Sequence, residues 1–150
     1  MLYSRSGVLD AVEPFDFEKS LMFLRGFGPM SGDQAVGGGR MTKAIMVEGQ
    51  TVGFRVKADG PRLKYDTFSE RALSESVADA VAGRISFFLS LEDDLGPFYS
   101  IAEKQDRAFY PLVERMWGLH HVKFPTLLEI GCWALINQRM QRQTALRSAP

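Results

Sequence analysis

The chain has 150 residues, with 18 Lys plus Arg against 18 Asp plus Glu, a formal net charge of zero and 45% hydrophobic residues. A chain this long can hide about 68–70% of the surface its unfolded form exposes, which excludes dominant disorder and calls for one folded unit, or one and a fraction. The neutral balance excludes a protein that coats nucleic acid or anionic membrane by bulk charge, so any DNA contact must be local.

The single Cys132 cannot close an intrachain disulfide, hold an iron-sulfur cluster or supply a cysteine-rich zinc site. No stretch reaches the apolar length of a membrane span, and the start lacks the basic-then-apolar pattern of a signal peptide. The expectation is an intracellular, cytoplasmic protein without a membrane partner.

In chain order, Leu2 to Val12 reads as a short edge strand stopped at Glu13-Pro14. Asp16 caps a short helix with apolar positions Phe17, Leu21 and Leu24, Phe23 beside them, ending at Gly26 and Gly28-Pro29. Four glycines between Gly32 and Gly39 predict a turn or mobile loop. Met41–Val47 and Thr51–Lys57 alternate as strands around a Glu48-Gly49-Gln50 hairpin, and Asp59-Gly60-Pro61 turns the chain into a third strand, Arg62–Asp66. Ser69 is expected to cap a helix whose apolar positions Ala72, Leu73, Val77, Ala80, Val81, Ile85, Phe88 and Leu89 repeat every three or four residues. This order predicts an α+β layer, an antiparallel sheet backed by helices on one face.

Asp94–Lys104, Asp106–Trp117 and Thr126 to about Ala145 read as three further helices, opening a second, all-helical unit. The last carries an apolar stripe, Leu127, Leu128, Ile130, Trp133, Ala134 and Ile136, that no later element covers, so this unit is expected to be incomplete. The domain boundary falls between a 1–91 α+β domain and a 92–150 helical start. Trp117 and Trp133 are expected in the core.

Few residues read as catalytic. Glu92-Asp93-Asp94 fits a solvated helix start, where acids are favoured by the helix dipole. His120 and His121 are sequence neighbours, which do not face one site, and no further metal ligands accompany them. Gly37-Gly38-Gly39 lacks the Lys and Ser/Thr of a phosphate loop and precedes a strand. It reads as a plain turn.

The run from Gly118-Leu119 through His120-His121-Val122-Lys123-Phe124-Pro125 into Thr126–Arg139 carries more information. Its Gly-Leu joint, short lead into an apolar helix and Ala134-Leu135-Ile136-Asn137-Gln138 end resemble the entry into the helix-hairpin-helix DNA glycosylase domain. The nearest pattern is the 3-methyladenine DNA glycosylase II type. Pro14-Phe15-Asp16-Phe17 followed by Leu21, Phe23 and Leu24 is similar to the first-helix pattern of that type, and the resemblance runs roughly to Gln138.

The resemblance implies an α+β amino-terminal domain similar to half of a TATA-binding protein, followed by the first helices of an incomplete all-α glycosylase domain. It implies binding of damaged double-stranded DNA, extrusion of an alkylated purine and hydrolysis of its N-glycosidic bond, with no metal and no other cofactor. Spacing alone makes Phe23 a core residue; the resemblance makes it a wall of the base-binding cleft, where an aromatic face meets an electron-poor alkylated base. It places Asn137, Gln138 and Arg139 at the DNA surface, with Arg142 and Arg147 near phosphates.

The sequence departs from the family pattern where Arg139, followed by Met140, stands in place of an aliphatic wedge. In the family, the phosphate-gripping hairpin and the aspartate that stabilises the cationic sugar lie farther along than these residues. The chain by itself is therefore expected to be inactive. The competing expectation is a non-catalytic α+β module for DNA or protein interaction, self-associating through its uncovered last helix.

Overall fold

The computed structural model describes residues 2–28 and 32–136. These form a five-stranded antiparallel sheet and five helices, the α+β class expected from the pattern. The sheet comprises β1 (Tyr3–Leu9), β2 (Gln34–Gly37), β3 (Arg40–Val47), β4 (Gln50–Asp59) and β5 (Arg62–Ser69), in the order β1-β5-β4-β3-β2. The helices are α1 (Phe17–Gly26), α2 (Glu75–Leu89), α3 (Gly96–Gln105), α4 (Tyr110–Arg115) and α5 (Leu127–Ile136).

Side chains alternate across a strand, and here the alternation is pronounced. Met41, Ile45, Val47, Val52, Phe54, Val56 and Leu63 point to one side and are buried against Leu21 and Leu24 of α1 and Val81, Ile85, Phe88 and Leu89 of α2. Each such side chain contributes about 1.5–3 kcal/mol on leaving water. The β3–β4 hairpin turns through Glu48 and Gly49, both at positive φ (47° and 72°), so that its twist matches that of the strands it joins.

Two sequence expectations are corrected. The glycine-rich 32–39 segment is not simply a loop: Gln34–Gly37 pairs with Arg40–Lys43 as an edge strand. Glycine density signals a turn, and the turn is there at Gly38-Gly39, but three of the four strand residues are other types whose pairing the composition hid. Ser69 does not cap α2, since it ends β5 with its hydroxyl donating to the Thr51 carbonyl. The capping residue is Ser74, which accepts from the Val77 N–H. Helical periodicity ran past the true start because Ala72 and Leu73 fit the stripe by chance of spacing.

Beyond α2 the chain splits its loyalties. Tyr99, Ala102 and Val113 of α3 and α4 form a second, small core with Leu95 and Tyr110, whereas Leu91 and Val122 belong to the main one. Trp117, expected inside, is 41% exposed and lies stacked on Tyr99 with ring centroids 3.9 Å apart. Trp133 on α5 is half-buried. The acids at 92–94 all serve local structure: Glu92 accepts from the Ser86 hydroxyl, Asp93 pairs with Lys123 at 2.9 Å, and Asp94 accepts from the Gly96 N–H.

The 118–125 segment is stitched to the body by backbone contacts. Asp16 N–H donates to the Gly118 carbonyl at 2.7 Å, Gly118 N–H to the Tyr99 hydroxyl oxygen at 2.9 Å, and Lys123 N–H to the Phe88 carbonyl at 2.9 Å. Gly118 sits at φ 83°, and a Cβ there would lie 3.1 Å from both the backbone nitrogen and the Cβ of Asp16. Gly118→Ala is therefore expected to cost about 2 kcal/mol in a urea melt, combining positive-φ strain with overpacking. A loss below about 0.5 kcal/mol would mean that this crossing relaxes freely.

Candidate functional site

The site is an aromatic cleft of about 350 Å³ where α1, α2, the 121–126 segment and the start of α5 meet. Asp16 opens α1 by accepting from the N–H groups of Glu18 and Lys19, which sets the helix phase. With Phe17, Leu21 and Leu24 turned into the core, Phe23 and Phe27 are left on the flank, four residues apart and so side by side. Their rings stack at 5.2 Å with 20° between planes, and Phe124 meets Phe27 edge-on at 6.2 Å and 68°. Phe87 closes the other wall from α2.

Two cations line the cleft and both are engaged. Arg84 donates from a guanidinium nitrogen to the Pro125 carbonyl at 2.8 Å, holding the 121–126 segment against α2. Lys123 lies 5.1 Å from the centre of the Phe87 ring and is neutralised by Asp93. The open surface is thus mainly aromatic and aliphatic, with Leu127 and Ile130 of α5 completing the rim. A volume near the lower end of small-molecule sites, with flat walls, fits one planar aromatic group. No carboxylate lines the cleft among the described residues, and no group of three or more His, Cys, Asp or Glu side chains there could hold a metal ion.

The structure places Phe23 on this wall, half-buried. Asn137, Gln138, Arg139, Arg142 and Arg147 lie outside the described residues. His120 and His121 separate completely: His120 is buried at 0% exposure between the Ser90 and Pro14 carbonyls, while His121 is exposed at the cleft mouth. Sequence reasoning missed Phe27, Phe87, Phe124 and Arg84. Phe27 was within reach, being four residues from Phe23; the others join only through tertiary packing.

A solved structure, a 3-methyladenine DNA glycosylase from Archaeoglobus fulgidus, is similar to this chain with a TM-score of 0.73 over 93% of it, at 16% sequence identity. At that identity the likeness is one of fold. The chain spans about half the length of that protein, 47% of it. No protein-family model matches the sequence and no curated protein does. No helix among the described residues is long and apolar enough to cross a membrane.

Proposed function

We propose that this chain is the amino-terminal part of a base-excision-repair DNA glycosylase that removes alkylated purines of the 3-methyladenine type. The observation that carries the reading is the cleft: stacked phenylalanine faces around a nucleobase-sized space, on a fold shared with a DNA glycosylase. In this reading residues 1–91 are the α+β domain and 92–150 the start of the helical one. Phe23 presents its ring to the extruded base, whose positive charge after alkylation is attracted to the negative aromatic face. Asn137, Gln138 and Arg139 face the opened base stack, and Arg142 holds a phosphate. Partner and substrate are damaged double-stranded DNA, and the setting is cytoplasmic.

Binding and chemistry separate in this reading, because no described residue of the cleft supplies an acid to stabilise the departing sugar. The chain alone is expected to release no 3-methyladenine from alkylated DNA above a no-enzyme blank. It should nevertheless bind 7-methylguanosine, a cationic purine nucleoside, more tightly than guanosine in calorimetry. Phe23→Ala should weaken that binding about tenfold and abolish the preference, as loss of one aromatic face and its cation attraction requires. Equal affinity for the two nucleosides, or an unaffected Phe23→Ala protein, would remove the base-binding role.

The exposed face of α5 favours a second reading, a non-catalytic interaction module. That reading expects a protein contact through α5 and no nucleoside preference in the cleft.

A further inference from the structure

We propose that the solvent-facing side of the sheet is a second docking surface, separate from the cleft, and that it takes single-stranded nucleic acid. The residues that alternate with the core set, among them Arg40, Arg55, Lys57, Lys64 and Phe68, face away from the helices, and the cleft is built on the helical side. The strand register aligns three of them: Arg40 stands opposite Lys57, and Lys57 opposite Lys64, making a row of cations across β3, β4 and β5. Among the described residues none of the three makes an ion pair. Like charges directly opposite one another work against strand pairing, so the row costs the fold some stability, which an anion from outside offsets. In a chain of zero net charge this is the local basic surface that nucleic-acid contact requires.

The kind of anion follows from what lies beside the row. Four residues along β5 from Lys64, about 13 Å at strand rise, Phe68 is half-buried on the same face with the Arg55 guanidinium 5.4 Å from its ring centre. Phe68 borders an open groove of about 520 Å³ with Gly53, Gln50, Thr51 and Arg71. Cations that track a phosphate backbone, next to an aromatic and arginine platform on which a free base can stack, make the pattern of single-strand binding. An acidic peptide would use the cations and leave the platform idle, and a duplex keeps its bases stacked internally. Three acids share the face: Asp66, which accepts from the Ser6 hydroxyl at 2.5 Å and stands opposite Arg55, Asp59, two residues along β4 from Lys57 and opposite Arg62, and Glu70 at the groove. None lies in the cation row.

The test is fluorescence anisotropy of the full chain with a labelled oligothymidylate about twelve nucleotides long, between 50 and 200 mM salt. The combined Arg40→Gln, Lys57→Gln and Lys64→Gln protein should bind at least tenfold more weakly at the lowest salt, and its salt slope should fall by about 2, three contacts at about 0.7 each. Phe68→Leu should weaken binding about tenfold with the slope unchanged, since stacking releases no counterions. Thermal melting of the triple variant at or above the unsubstituted protein shows that the sheet is intact, and Lys57→Gln alone should still bind measurably more weakly. An unsubstituted protein that fails to bind, or a triple variant that binds as well, overturns the proposal. So does equal competition by polyglutamate or equal affinity for a duplex of the same length. The three cations do not line the cleft, so 7-methylguanosine affinity of the triple variant should match the unsubstituted protein, and failure here leaves the glycosylase reading standing or falling on its own assay.

Discussion

His120→Leu is expected to destabilise the protein by about 2 kcal/mol. The imidazole is fully buried where three segments meet, its Nδ1 lying 2.6 Å from the Ser90 carbonyl oxygen, its Nε2 3.0 Å from that of Pro14, and its ring centre 5.0 Å from that of Phe15 in an edge-to-face arrangement. Leucine fills much of the volume but offers no donor, so the hydrogen bond from the imidazole N–H to a backbone carbonyl is lost, while the Ser90 carbonyl keeps the Asp93 N–H at 3.2 Å. Each buried acceptor left without a donor costs about 1–3 kcal/mol. The Ser90 hydroxyl donates to the His121 carbonyl, so the same change loosens the segment that forms the cleft wall. Urea melts of His120→Leu and His120→Gln measure the effect, and glutamine, which keeps N–H donors, should recover part of the loss. A leucine variant within 1 kcal/mol of the unsubstituted protein would show that the lost hydrogen bond is replaced.

The second large effect concerns α5, whose described residues include none that is buried: Leu127 is 89% exposed, Leu128 75% and Leu135 70%. Leaving each such side chain in water forgoes about 1.5–3 kcal/mol of burial, a driving force toward any surface that can cover them. The helix is tied to the sheet by Glu129, 3.8 Å from the buried ammonium of Lys43. Self-association of the chain through α5 is therefore expected, with sedimentation coefficients that rise with concentration. Leu127→Gln, Leu128→Gln and Leu135→Gln together should return it to a monomer with little change in melting, because these side chains are largely exposed among the described residues. A monomer at every concentration that also binds no hydrophobic dye would show that the stripe is already covered.

Much of the architecture could be read locally. The β3–β4 hairpin followed from strand alternation around Glu48-Gly49, and α1 from Asp16 and the spacing of Phe17, Leu21 and Leu24. These are properties of period and turn chemistry, which a short window of sequence contains. Of the residues that line the cleft, the sequence singled out Phe23, which both borders the cleft and packs against the core as its spacing indicated.

What the sequence determined by itself is therefore the α+β class, the β3–β4 and β4–β5 hairpins and the core-facing stripes of α1 and α2, because side-chain periodicity and glycine turns act over a few residues. The tertiary structure alone decided the rest. It placed Phe124 against Phe27 and Arg84 against Pro125, buried His120 between carbonyls from the two ends of the first layer, put Trp117 on the surface over Tyr99, and aligned Arg40, Lys57 and Lys64 in one row. Each of these depends on strand register or on contacts between distant segments. Which distant residues meet is settled by how whole elements pack to bury apolar area, a property no local window contains.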